Sequence, residues 1–107
     1  MTEQPNRSYI DALCRGDKVF EEKLIKVIKL EFPDEVKVYH EAFNEKKQTK
    51  TAEAVHKLKH KISILGLENG YQTAVKYEDE IREGNYDLHK EFEAILNSMS
   101  TYLKTLE

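Results

Sequence analysis

The stretch His56-Lys57-Leu58-Lys59-His60-Lys61-Ile62-Ser63-Ile64-Leu65-Gly66-Leu67 places apolar residues three or four apart and closes on a glycine, the pattern of an amphipathic helix with a left-handed stop. A helix advances about 100° per residue, so Val55, Leu58, Ile62 and Leu65 share one stripe, while His56, Lys59, His60 and Ser63 share a face well away from it. The histidine therefore points at solvent, where packing has no use for it. Residues three and four apart are neighbours on a helix, so the Lys59 ammonium can reach a charge on the His56 ring. Such a face can hold a phosphoryl group in the open. It is also what an ordinary solvated helix face looks like, and the surrounding chain has to weigh between the two.

Outward from that helix, apolar residues keep helical spacing throughout and nothing reads as a strand. Residues 1–7 read as a flexible arm. Ser8 can cap a short helix through Tyr9 to Cys14, answered by Asp11, and Gly16 stops it. Asp17 caps a longer helix with Phe20, Leu24, Val27 and Ile28 on its inner side. Pro33 ends that helix and opens another, whose buried side is Val36, Tyr39 and Phe43. The polar run Asn44 to Lys50 is a turn, Thr51 caps the His56 helix, and a further helix starts near Glu68. Gly84-Asn85 breaks the chain, Asp87 caps, and Leu88, Phe92, Ile95, Leu96, Met99, Leu103 and Leu106 form a stripe about five turns long. Short connections between amphipathic helices favour antiparallel neighbours. The expected fold is all-α: an up-down antiparallel four-helix bundle over residues 8–107, with an additional short N-terminal helix across one end.

Composition narrows the function. With 107 residues, 39% hydrophobic and 35% charged, the chain fits one domain with a modest core. Net charge is −3 and lysines are interleaved with glutamates, which argues against nucleic acid and against a polybasic membrane patch. Cys14 is the only cysteine, so neither an intramolecular disulfide nor a cysteine-rich zinc site can form, and we read it as a small core residue. No signal-peptide pattern and no apolar run of roughly 18 residues is present, so the expectation is a soluble cytoplasmic protein, monomeric by default.

One carboxylate falls in an unexpected place. The helix after Gly66 carries Leu67, Tyr71, Ala74, Val75 and Ile81 on one stripe, and Glu78 lies near its middle. Desolvating an unpaired charge costs several kcal/mol, so a partner across the helix interface or a wet position at the bundle edge is required. If Glu78 accepts a hydrogen bond from His56 Nδ1–H, the tautomer is fixed and the Nε2 lone pair is presented as a nucleophile. The alternative is that Glu78 reaches solvent or pairs with a lysine such as Lys59.

His56, Leu58, Lys59, Gly66 and Leu67, in an all-helical chain of this length, resemble the His-x-Leu-Lys signature of the histidine-containing phosphotransfer (HPt) domains of bacterial two-component phosphorelays. The resemblance extends to the Gly16-Asp17 helix start, Phe32-Pro33, the loop before the histidine helix and the Gly84-Asn85 break. It implies that His56 accepts a phosphoryl group at Nε2 from the aspartyl phosphate of a response-regulator receiver domain and passes it to another receiver, with a hybrid sensor histidine kinase a possible further partner. Lys59 would stabilise the phosphoryl oxygens, and Glu78 matches a position where members carry a Glu or Gln that hydrogen-bonds the active histidine. The family has no ATP site or catalytic machinery of its own: the protein would be a phosphocarrier rather than an enzyme, without a cofactor, the receiver supplying Mg²⁺. His60 departs from the pattern, since the residue after the signature lysine is commonly Gly or another small residue. It could narrow the range of receivers, hydrogen-bond the phosphoryl group or act as a second acceptor, and we expect it on the docking surface with Ser63, Ile64, Tyr9 and Ile10.

Two other readings stand beside this one. His56 and His60 at i, i+4 are spaced to chelate a transition metal, with Glu53 or Ser63 needed to complete the shell. The same fold could also bind a receiver or kinase without transferring anything. His40 and His89 read as ordinary surface residues.

Overall fold

Five helices are the regular elements of the computed structural model, which describes residues 3–106: a short α1 (Ser8–Cys14), then α2 (Lys18–Asn44), α3 (Gln48–Ile64), α4 (Glu68–Arg82) and α5 (His89–Thr105). Three residues link α2 to α3 and three link α3 to α4, too few for anything but antiparallel neighbours. The four long helices form the expected bundle. α3 lies between α2 and α4, α5 closes against α4 and α2, and α1 packs on α2. No helix among the described residues is long and apolar enough to cross a membrane.

The stripe anticipated on α3 is the centre of the core: Val55, Leu58, Ile62 and Leu65 are all fully buried. Burying each such side chain is worth about 1.5–3 kcal/mol, enough to set which face of α3 looks outward. Cys14 is a core residue, as expected.

Pro33 does not divide the chain. α2 runs through it as one helix of 27 residues, about 40 Å at 1.5 Å per residue, close to the molecule's longest dimension of 43 Å. A proline there removes the N–H bond to the Lys29 carbonyl and costs about 3 kcal/mol. Ile25, Ile28, Phe32, Tyr39 and Ala42 nonetheless keep one continuous buried stripe across it, and Pro33 itself is exposed. This continuity also shifts the inner face. Phe20 and Val27, expected inside, are exposed, because the stripe that includes Phe32 and Tyr39 lies on another side of the helix.

Helix starts follow local polar chemistry differently from expectation at three places. Asp17 does cap α2, accepting from the Phe20 N–H at 3.1 Å. Ser8 is already helical, and Asn6 Oδ1 accepts from its N–H instead. α3 begins at Gln48, so Thr51 is a buried helical residue whose hydroxyl donates to the Lys47 carbonyl. Asp87 caps nothing and donates its own N–H to Asn85 Oδ1, with α5 starting after Leu88. In each case a side chain that can cap a helix can equally bond to another nearby backbone group.

The N-terminal arm is anchored where a flexible one was expected. Glu3 accepts from the N–H groups of Asn69 and Gly70 at 3.0 and 2.9 Å, Asn6 N–H donates to the Leu65 carbonyl at 2.8 Å, and Asn6 Nδ2 reaches the Gly66 carbonyl. The cause lies at α4, whose Leu67 has no side chain to cap the first turn, so an acidic residue from elsewhere serves its unpaired N–H groups and positive dipole end. Gly66 has φ 78°, and a Cβ there would collide with the Asn6 side chain. Residues 1, 2 and 107 lie outside the described part, including the start of the expected arm.

Because Pro33 is exposed and opposes the helix it sits in, we expect Pro33→Ala to raise stability by about 1–3 kcal/mol in urea titrations. An unchanged or lower midpoint would mean that the core is built around the proline.

Candidate functional site

The burial of Val55 and Leu58 turns His56 outward, its side chain 52% exposed, at the seam where α3 meets α4. On α4, Ala74, Tyr77 and Ile81 are fully buried, and that register brings Glu78 to the same seam with only 8% of its surface exposed. Glu78 Oε1 accepts from His56 Nδ1–H at 3.2 Å and from Lys59 Nζ at 3.1 Å, while Oε2 accepts from Arg82 Nη2 at 3.1 Å. The two partners considered for this carboxylate are thus both present, on one oxygen. Burial pushes the Glu78 carboxyl up, but the hydrogen bonds from Lys59, Arg82 and His56 together hold it below the usual carboxylate value.

An ionised carboxylate can only accept, so the neutral His56 ring carries its proton on Nδ1. Nε2 keeps the lone pair and has no protein partner among the described residues. A fixed, half-exposed imidazole with a free Nε2 can act as a nucleophile or as a metal ligand. His56 stands on an open face, and the hollow lined by Asn6, Ser8, Tyr9, Ser63 and Gly66 does not include it.

His60 lies one turn on, its ring centroid 5.3 Å from that of His56 and the two planes nearly perpendicular at 88°. Ser63 continues the exposed face, and Tyr9 is exposed. Ile64 and Ile10 differ from expectation. Ile64 is half-buried against the core, and Ile10 is fully buried as the inner partner of Cys14, which leaves Leu13 as the exposed apolar neighbour of Tyr9. For a metal, His56 and His60 lack a third ligand: among the described residues no cluster of three His, Cys, Asp or Glu could hold an ion.

Four features were not anticipated. Arg82, one turn from Glu78, is the third donor, and its i, i+4 spacing was a readable signal. Lys61 is buried, 8% exposed, and donates to Glu31 and Glu35 on α2 at 3.0 Å each. His89 is not an ordinary surface residue: it stacks on Phe43 with centroids 3.8 Å apart, and its Nδ1 and the Tyr39 hydroxyl share a hydrogen bond at 2.7 Å. Tyr39 in turn meets the Tyr77 hydroxyl at 2.6 Å. Burial lowers the His89 pKa and pushes Tyr77 up to about 12. His40, also read as plain surface, pairs with Glu93 at 2.7 Å.

Comparison with family models, with curated proteins and with solved structures finds no match to this chain.

A carboxyl whose folded pKa is depressed stabilises the fold above its ordinary value of 4.5, and that contribution is lost as pH falls through the folded value. We therefore expect Glu78→Ala to cost roughly 1–3 kcal/mol at neutral pH and much less in acid. Long-range ¹⁵N–¹H spectra should show His56 as the Nδ1–H tautomer in wild type and as a mixture in the variant. A pH-independent loss, or an unchanged tautomer, would remove Glu78 from this role.

Proposed function

We propose that this protein carries a phosphoryl group on His56 Nε2, taking it from the aspartyl phosphate of a receiver domain and passing it to a second receiver, as do the HPt domains that its His-x-Leu-Lys stretch resembles. The observation that carries this reading is the hydrogen bond between His56 Nδ1 and Glu78. A solvated surface histidine has no need of a buried carboxylate aligned on its inner nitrogen, whereas a phosphoacceptor does.

The chemistry follows from the tautomer. The Nε2 lone pair attacks phosphorus in line, the N–P bond forms, and the P–O bond breaks with its electron pair leaving on the receiver's aspartate. No proton has to move, since Nδ1–H stays in place. The ring becomes an imidazolium, and the Glu78 carboxylate 3.2 Å away offsets the charge that develops on it. The reverse step returns the group to another aspartate by the same path. The receiver provides the acceptor or donor carboxylate and its Mg²⁺; this chain provides a positioned, reversible acceptor, which suits a phosphocarrier and not an enzyme with its own turnover. Such a role belongs in the cytoplasm, beside receivers and the hybrid sensor kinases that feed them.

Incubation with a phosphorylated receiver tests this. We expect acid-labile, base-stable label on the wild type and none on His56→Gln. Label retained by His56→Gln would move the acceptor elsewhere, and no label from several receivers that nonetheless bind would leave a docking module without transfer.

A further inference from the structure

Resting on that reading, we infer that His60, rather than Lys59, supplies the hydrogen bond that holds the phosphoryl oxygens on His56. Lys59 is committed elsewhere. Its side chain is only 14% exposed, and its ammonium sits on Glu78 Oε1, the same oxygen that accepts from His56 Nδ1. Nδ1 and Nε2 occupy different edges of the imidazole ring, so Lys59 stands behind the ring and the phosphoryl group would stand in front. Arg82 is engaged on the other oxygen of the same carboxylate. Swinging Lys59 to the outer edge would strip a buried carboxylate of one of its three donors, and such a group is costly to leave short of partners.

The other side chain beside His56 is uncommitted. His60 is exposed, one turn along the same face, with its ring 5.3 Å from that of His56 and turned 88° to it. At that separation the His60 ring is near enough to meet the oxygens of a phosphoryl group on His56. The neutral imidazole has one N–H to donate and the imidazolium two, while the phosphoryl oxygens only accept, so the contact is a charge-assisted one. His60 lies outside the buried stripe of α3.

The test uses two phosphodonors: a phosphorylated receiver, which must dock, and phosphoramidate, which need not. Phosphoramidate transfers its phosphoryl group to Nε2 as its own P–N bond breaks and ammonia leaves, its nitrogen protonated from solvent. We expect His60→Leu to take up label from phosphoramidate about tenfold more slowly, or to lose it about tenfold faster, the effect of one charge-assisted hydrogen bond. His60→Gln keeps an N–H donor and should recover most of the difference. Both substitutions fall on an exposed position, and equal melting temperatures would exclude a folding effect. Wild-type rate and lifetime in His60→Leu with phosphoramidate would overturn the inference, and a loss confined to the receiver reaction would make His60 a docking residue only. Label that survives in His56→Gln and vanishes in His56→Gln/His60→Leu would make His60 an acceptor, also against it. If wild type takes no label on His56 from either donor, it is the phosphotransfer reading that fails.

Discussion

A carboxylate buried between two helices organises this molecule. Glu78 brings its charge to the α3–α4 seam, where it is stable only with donors on both oxygens, and these come from His56 and Lys59 on one helix and Arg82 on the other. Its sequence neighbour Tyr77 points about 100° round the helix, into the hydroxyl chain through Tyr39 to His89 that ties α4 to α2 and α5. Two adjacent residues thus secure α4 on two faces. The ring of His56 is held by groups whose own positions are determined by packing, which is the condition for a site to keep its geometry.

α3 is fastened in a complementary way on its other side. There the buried group is a cation, Lys61, between Glu31 and Glu35 of α2. Burial opposes its charge, but the two carboxylates hold the ammonium's pKa above its usual value, so it remains charged at neutral pH. A helix whose side chains reach carboxylates of α4 on one flank and of α2 on the other has little freedom to slide or rotate between its neighbours. The long α2 supplies the rail for this, which is why its continuity through Pro33 matters more than the hydrogen bond lost there.

The α3 face, the bundle and the Glu78–His56 pairing were legible in the residues, because each rests on a periodicity or on the cost of leaving a buried charge without a partner. What was not legible depended on comparing alternatives of similar local energy. Two stripes on α2 satisfy helical spacing and share Ile28, and only Phe32 and Tyr39 together, on either side of a proline taken as a break, select the one containing Ile25. Ile10 and Tyr9 are adjacent on a helix of seven residues, too short for its apolar face to be read unaided. His89 and Lys61 owe their surroundings to residues about 30 to 50 positions away, and Glu3 to α4, contacts that leave no trace in local pattern.

The three-residue link between α3 and α4 has a consequence of its own. His56 and Glu78 meet only because that link, pinned by Asn6 and turned at Gly66, delivers α4 in one rotational setting. One additional residue inserted into the first turn of α4 would rotate the rest of that helix by about 100° and carry Glu78 off the seam, even if every side chain were retained. Length is therefore as closely constrained at the α3–α4 turn as the identity of Gly66, and an insertion there would cost the site its geometry while leaving its residues intact.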